Sequence, residues 1–148
     1  MIRVMASSVI NAPVQEVWAL VRDFSAISEW LLGVASSVLD KGGTATGIGS
    51  TRRLVFADGG KMREKLLGLS EQDTSITFAI IESELPIKDY VSTIRLQPVT
   101  DGDQSYISWT GEFEVTGDQH EQMALRMKHD IYQPGFDSLR KRFEAGET

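Results

Sequence analysis

The hydrophobic pattern of this chain changes period twice. Over residues 2–10 apolar and polar side chains alternate roughly and β-branched residues are frequent, which predicts a first strand. The stretch "NAPVQEVWALVRDF" then takes a helical spacing, with Val14, Val17, Trp18 and Val21 on one stripe. Asn11 is placed to cap this helix, Pro13 to sit in its first turn and Glu16 to lie near its positive end. "SAISEWLLG" predicts a second short helix, with Ser25 as cap and Gly33 as terminator.

Six strand-like runs come next: "VASSVLDKGG", "GSTRRLVFADGG", "KMREKLLGLSEQD", "TSITFAIIESELP", "KDYVSTIRLQPVTDGD" and "QSYISWTGEFEV". Short turns join them, so they form an antiparallel meander. In the last run Ile107, Trp109, Gly111 and Phe113 alternate with polar partners, giving one buried and one wet face. From about residue 117 the period becomes helical again, with Asp118 as cap and a stripe of Met123, Met127, Ile131, Gly135, Leu139 and Phe143. Pro134 and Gly135 interrupt that stripe and predict a bend rather than two separate helices. The pattern is α+β: a curved antiparallel sheet of about seven strands wrapped around a long C-terminal helix, in one domain spanning residues 1–148.

The alternation raises a chemical question at "GIGSTRRLVFADGGKMREKL". Read as two strands joined by a turn, it puts Arg52 and Glu64 on the same side as Leu54, Phe56, Met62 and Leu66. An unpaired buried charge costs several kcal/mol, on the order of what a small domain can lose. Two explanations stand. The pair is a structural ion pair across adjacent strands, or it faces a cavity that holds a polar-ended ligand. Arg52 is favoured over Arg53 as the inward residue because it keeps register with Leu54 and Phe56.

Tyr90, Ser92 and Ile94 share a strand face, and Trp109 lies one strand further on; a buried Tyr or Trp usually seeks a partner for its polar atom, which suits a pocket wall. Trp30 and Leu31, ending the second helix, are expected at a pocket mouth opposite Pro86. Met123 and Met127 read as core or as an adaptable cavity wall, and Ile131 shares their stripe. His120 and His129 are nine residues apart and do not make the i, i+4 metal pair, so both read as surface residues. "GIG" precedes a strand and lacks the helix of a phosphate-binding loop.

Composition narrows the class of partner. Lys and Arg total 15 against 21 Asp and Glu, and the net charge of −6 argues against a nucleic-acid phosphate backbone. The chain has no cysteine, which removes thiol chemistry and fits a reducing compartment, so the cytoplasm is the expected location. No apolar run suggests a signal peptide or approaches the ~18 residues of a membrane span, and no stable membrane insertion is expected.

The order of elements and the words "APVQEVWALVRDFSAISEW", "GIGSTRRL", "REKLLGLSEQD", "LPIKDYVSTIRLQPV", "ISWTGEF" and "PGFDSLRKRFE" resemble the helix-grip superfamily of START-related and birch-pollen-allergen-like proteins (SRPBCC), specifically its polyketide cyclase/dehydrase and lipid-transport family. The resemblance covers the full chain. Plant abscisic acid receptors carry similar strands whose glutamate, tyrosine and serine line the hormone pocket; the matching positions are Glu64, Tyr90 and Ser92. Plant lachrymatory factor synthase has a similar arginine and glutamate regarded as catalytic, matching Arg52 and Glu64. The receptors' carboxylate-anchoring lysine has no counterpart in "VASSVLD", and "FADGG" replaces their gating loop, so abscisic acid itself is not implied.

Three functions are expected. The first is binding or transport of a small hydrophobic molecule with a polar end, contacted by Arg52, Glu64, Tyr90, Ser92, Trp109, Phe56, Trp30, Met127 and Ile131, with neither metal nor cofactor and with the protein a monomer or homodimer. The second is a cofactor-independent cyclase, dehydratase or isomerase in which Glu64 is general acid or base and Arg52 or Tyr90 stabilises an oxyanion. The third is a ligand-free interaction or co-chaperone role, favoured by a cavity that side chains fill.

Overall fold

One antiparallel sheet organises the molecule, in strand order β1-β7-β6-β5-β4-β3-β2. Its strands are β1 (Ile2–Ile10), β2 (Val34–Leu39), β3 (Thr51–Phe56), β4 (Lys61–Ser70), β5 (Ser75–Ser83), β6 (Ile87–Val99) and β7 (Gln104–Val115). The structure is a computed structural model that describes residues 1–115, 117 and 120–145. Strands β2 to β7 form the expected meander; β1 returns to pair with β7, Ile2 opposite Phe113 and Ile10 opposite Ser105.

Between β1 and β2 run helix α1 (Val14–Val21) and a 3-10 helix, Phe24–Glu29. The N-cap position of α1 is Pro13 rather than Asn11. The cap of the 3-10 helix is Asp23, not Ser25: its carboxylate accepts from the Ser25 amide at 3.0 Å and from the Ser25 hydroxyl at 2.6 Å. An ionised acceptor at the positive end of a helix outcompetes a neutral hydroxyl, so Ser25 becomes the donor. Gly33, at φ +96°, reverses the chain into β2 as its left-handed geometry allows. Trp18 and Arg22 tie the end of α1 to the β4–β5 turn through Glu71, at 2.8 Å from the indole nitrogen and 2.8–3.0 Å from the guanidinium.

The C-terminal helix is built of α2 (His120–Arg126), a π-helical segment (Met127–Tyr132) and α3 (Gln133–Ala145), each starting where the last ends. The cap expected at Asp118 lies outside the described residues. Pro134 offers no N–H and its ring crowds the carbonyl four residues earlier; a wider turn before it relieves that crowding. The wide turn also re-phases the buried stripe. Met123, Met127, Gly135 and Leu139 are buried as expected, but Tyr132 and Phe136 are buried as well, while Ile131 and Phe143 are half-buried. The wider turn brings Tyr132 rather than Ile131 onto the buried face, where Phe136 joins it.

The core lies between the concave sheet and this helix. Trp109 is its centre: its ring stacks on Tyr132 at 4.4 Å and lies 5.8 Å from Trp30 and 6.5 Å from Phe78. Gly135 permits the approach, because a Cβ there would stand 2.9 Å from Leu31 Cδ1 and 3.3–3.4 Å from the two indoles.

Candidate functional site

The turn Ala57–Gly60 sets the register that pairs Arg52 directly with Glu64 on β3 and β4. Both are buried, at 2% and 5% exposure, whereas Arg53 points to solvent and bonds Asp40 at 2.7 Å. Arg52 Nε and Nη2 donate to the same oxygen, Glu64 Oε1, at 2.9 and 2.6 Å; Nη1 donates to the Phe24 carbonyl at 2.6 Å. Arg52 Cζ lies 3.8 Å from the Phe24 ring centroid and 4.9 Å from that of Phe78. Cation–π contact of this kind contributes about 1–2 kcal/mol when desolvated. Burial pulls the Arg52 pKa below its usual value and Glu64 pulls it back up. Arginine stays charged under that opposition.

The next polar cluster comes from β6, β7 and the π segment. A bulge at Asp89 and Tyr90, two residues opposite Phe113 alone, with Asp89 at φ +54°, turns the Tyr90 side chain inward. Its hydroxyl is hydrogen-bonded to that of Tyr132. Trp109 Nε1 donates to the Ser92 hydroxyl one strand away. Burial raises the Tyr90 pKa well above the usual phenol value, and the neighbouring Tyr132 adds to it; burial pushes Tyr132 up to about 12. Gly111 gives the two rings their room.

Two cavities adjoin these groups. An outer groove of about 640 Å³ opens between the helix, the β3–β4 turn and the β5–β6 loop; Asp58, Lys61, Glu84, Arg126 and Asp130 rim it, and Leu85 and Pro86 form one side. Beneath it lies a chamber of about 30 Å³, whose walls include Glu64, Tyr90, Trp109, Phe78 and Ile80. Leu31, Phe56, Met62, Met127 and Ile131 belong to both, so they stand between groove and chamber.

The sequence-derived candidates therefore divide. Glu64, Tyr90, Trp109, Phe56, Met127 and Ile131 surround the chamber. Arg52 and Ser92 line neither cavity; the first is spent on Glu64 and Phe24, the second on Trp109. Leu31 and Pro86 both line the groove, but Trp30 turns into the core at 3% exposure against Trp109, and its indole N–H has no hydrogen-bond partner among the described residues. His129 is exposed, and the side chain of His120 lies outside the described residues. Tyr132 and Phe24 escaped sequence reasoning. Tyr132 was hidden by the helix phase, and the Phe24 carbonyl carries no side-chain signal at all. Among the described residues no group of three His, Cys, Asp or Glu could hold a metal, and no helix is long and apolar enough to cross a membrane.

Comparison with known proteins agrees with this architecture. No curated protein sequence matches the chain significantly. The protein XoxI from Bacillus cereus is 28% identical, with 100% of this chain and 99% of that one covered and a TM-score of 0.89. Norcoclaurine synthase from Thalictrum flavum, solved with dopamine and hydroxybenzaldehyde, shares the fold at 15% identity, TM-score 0.77, over 99% of this chain and 88% of its own. Major latex-like protein 151 from Panax ginseng does so at 16% identity, TM-score 0.71, over 95% of each. The family model for polyketide cyclase / dehydrase and lipid transport matches residues 1–144, so this chain, with its seven-stranded sheet gripping a C-terminal helix, belongs to that family.

Proposed function

We propose that this protein binds a small hydrophobic molecule with a polar end, its body in the outer groove and its end directed at the chamber beside Glu64. The observation that carries this reading is the shared wall of the two cavities: a groove of about 640 Å³ ends on five apolar side chains, behind which stands a carboxylate. Groove volumes of roughly 300–1,000 Å³ suit small organic ligands. The chamber alone is far too small for one, so entry displaces the partition. Met62 and Met127, with flexible unbranched side chains, are suited to that movement. Family membership supports the hydrophobic character of the ligand.

The test is to purify the protein without detergent, weigh it by native mass spectrometry and identify what extracts from it. A stoichiometric apolar molecule that is retained by the parent and lost on Met127→Trp, which fills the partition, supports the reading. A bare mass together with no thermal shift across a lipid and polyketide library overturns it.

One observation favours a second reading, a cofactor-independent cyclase, dehydratase or isomerase: Glu64 and Tyr90 both face the chamber, so a proton acceptor and a hydroxyl would meet the same end of a substrate. Once a ligand is identified, Glu64→Gln should cost a proton-transfer enzyme about 10²–10⁴ in rate, while a carrier would show altered affinity only.

A further inference from the structure

The arrangement of the ion pair narrows the polar end that the site accepts. Arg52 places two of its N–H groups on a single oxygen of Glu64, Oε1, and a third on the Phe24 carbonyl, while its Cζ lies over the Phe24 ring and near that of Phe78. Glu64, not Arg52, lines the chamber. The cation is thus enclosed behind its partner, and what the chamber offers is carboxylate. Resting on the reading of the groove as a ligand site, we infer that the ligand ends in a neutral hydrogen-bond donor, a hydroxyl, which donates to Glu64.

Three physical arguments converge on that end group. A carboxylate has about four lone-pair sites, and two bonds converging on Oε1 leave acceptor capacity on Oε2. An anionic end such as a fatty acid carboxylate would stand beside Glu64 with no route to the guanidinium, and like charges in a low-dielectric site repel strongly. The chamber, at about 30 Å³, has room for a group of roughly a water molecule's size and no more, which fits a terminal hydroxyl and excludes a bulky head. A cationic end would meet only the negative end of a pair already neutralised by Arg52, and the cost of desolvating its full charge in so small and apolar a chamber outweighs that attraction.

Three single-chain probes separate the possibilities: 1-decanol, its isomer 1-methoxynonane, which accepts but cannot donate, and decanoate. Binding to the full chain is measured by titration calorimetry near neutral pH. The expected result is that decanol binds at least about tenfold more tightly than the ether and than decanoate, the size of one hydrogen bond to a charged group. Equal affinity for decanol and the ether, or tighter binding of decanoate, overturns the inference while leaving the groove as an apolar site. Binding of none of the three overturns the groove reading itself and the inference with it. A double variant, Arg52→Met with Glu64→Leu, removes both charges and avoids stranding one. In it the preference for decanol over the ether should vanish while the ether still binds; persistence of the preference would assign the discrimination to another group, such as Tyr90, and overturn the role given to Glu64.

Discussion

A Cβ placed on Gly111 would stand 2.1 Å from the Tyr132 hydroxyl oxygen, so the strand lacks a side chain where the helix supplies one. Glycine in a strand interior ordinarily costs about 0.5–1 kcal/mol relative to alanine. Here the sign reverses. Gly111→Ala should destabilise by about 1–3 kcal/mol, the range of overpacking, because Tyr90 also lies 3.2 Å from the added atom and cannot give way freely. Removing the Tyr132 hydroxyl in the same background, as Tyr132→Phe, should recover part of that loss. Urea melts of the two singles and the double read the coupling; additive effects would mean that the two positions do not meet.

Arg52→Ala should cost about 3–5 kcal/mol, the penalty for leaving Glu64 buried without its cation. Arg52→Met with Glu64→Leu should recover most of it, since an apolar pair of similar volume replaces two desolvated charges. The comparison by denaturant midpoint separates a pair kept for stability from one kept for what it presents. A double variant no more stable than the single would point to the contact of the guanidinium with the Phe24 and Phe78 rings as the dominant contribution.

Alkaline pH should loosen the core through its phenols. Folding holds Tyr90 well above the usual phenol value and Tyr132 at about 12, against about 10 in the unfolded chain. The folded state then keeps protons that the unfolded state has released, so stability is full below about pH 10 and falls as pH rises toward 12. Denaturant midpoints between pH 8 and pH 11 check this, with the Tyr90→Phe, Tyr132→Phe double variant showing the flatter profile.

Acid should act elsewhere, at the end of β2. Asp40 accepts from the Thr51 hydroxyl, from Arg63 at 3.0 Å and from Arg53 at 2.7 Å, and these hold its carboxyl at about 2. A depressed folded pKa stabilises above the unfolded value of about 4 and loses that contribution as pH falls through about 2. The stability difference between the parent and Asp40→Asn, measured by thermal melts from pH 6 to pH 2, should therefore shrink across the lower half of that range. A difference that stays constant would mean that the asparagine amide loses the network for geometric rather than charge reasons.

How far each of these features could be read in advance depends on its range along the chain. The Arg52–Glu64 pairing was legible because a short turn and strict alternation fix both register and face within fifteen residues. The meander and the helix that crosses it were legible for the same reason, each being a statement of period. Trp30 was misplaced because the direction in which a short helix ends depends on what it packs against, here Gly135 and Trp109, more than seventy residues away. Tyr132 was missed because a π turn breaks the 3.6-residue count on which the stripe was drawn. That Arg52 is shut off from the cavity comes from the Phe24 carbonyl and two aromatic rings, which no pattern of apolar and polar letters encodes.

The same π turn has an angular consequence. An α-helix advances by about 100° per residue, and the wide turn at Met127–Tyr132 spends one residue without advancing the azimuth of the residues beyond it. Shortening Lys128–Ile131 by one residue would restore ordinary pitch and leave Tyr132, Phe136 and Leu139 at the same bearing over the sheet. A deletion within the regular turns of α3 would instead swing every residue past the cut by about 100° and carry Leu139 off the core.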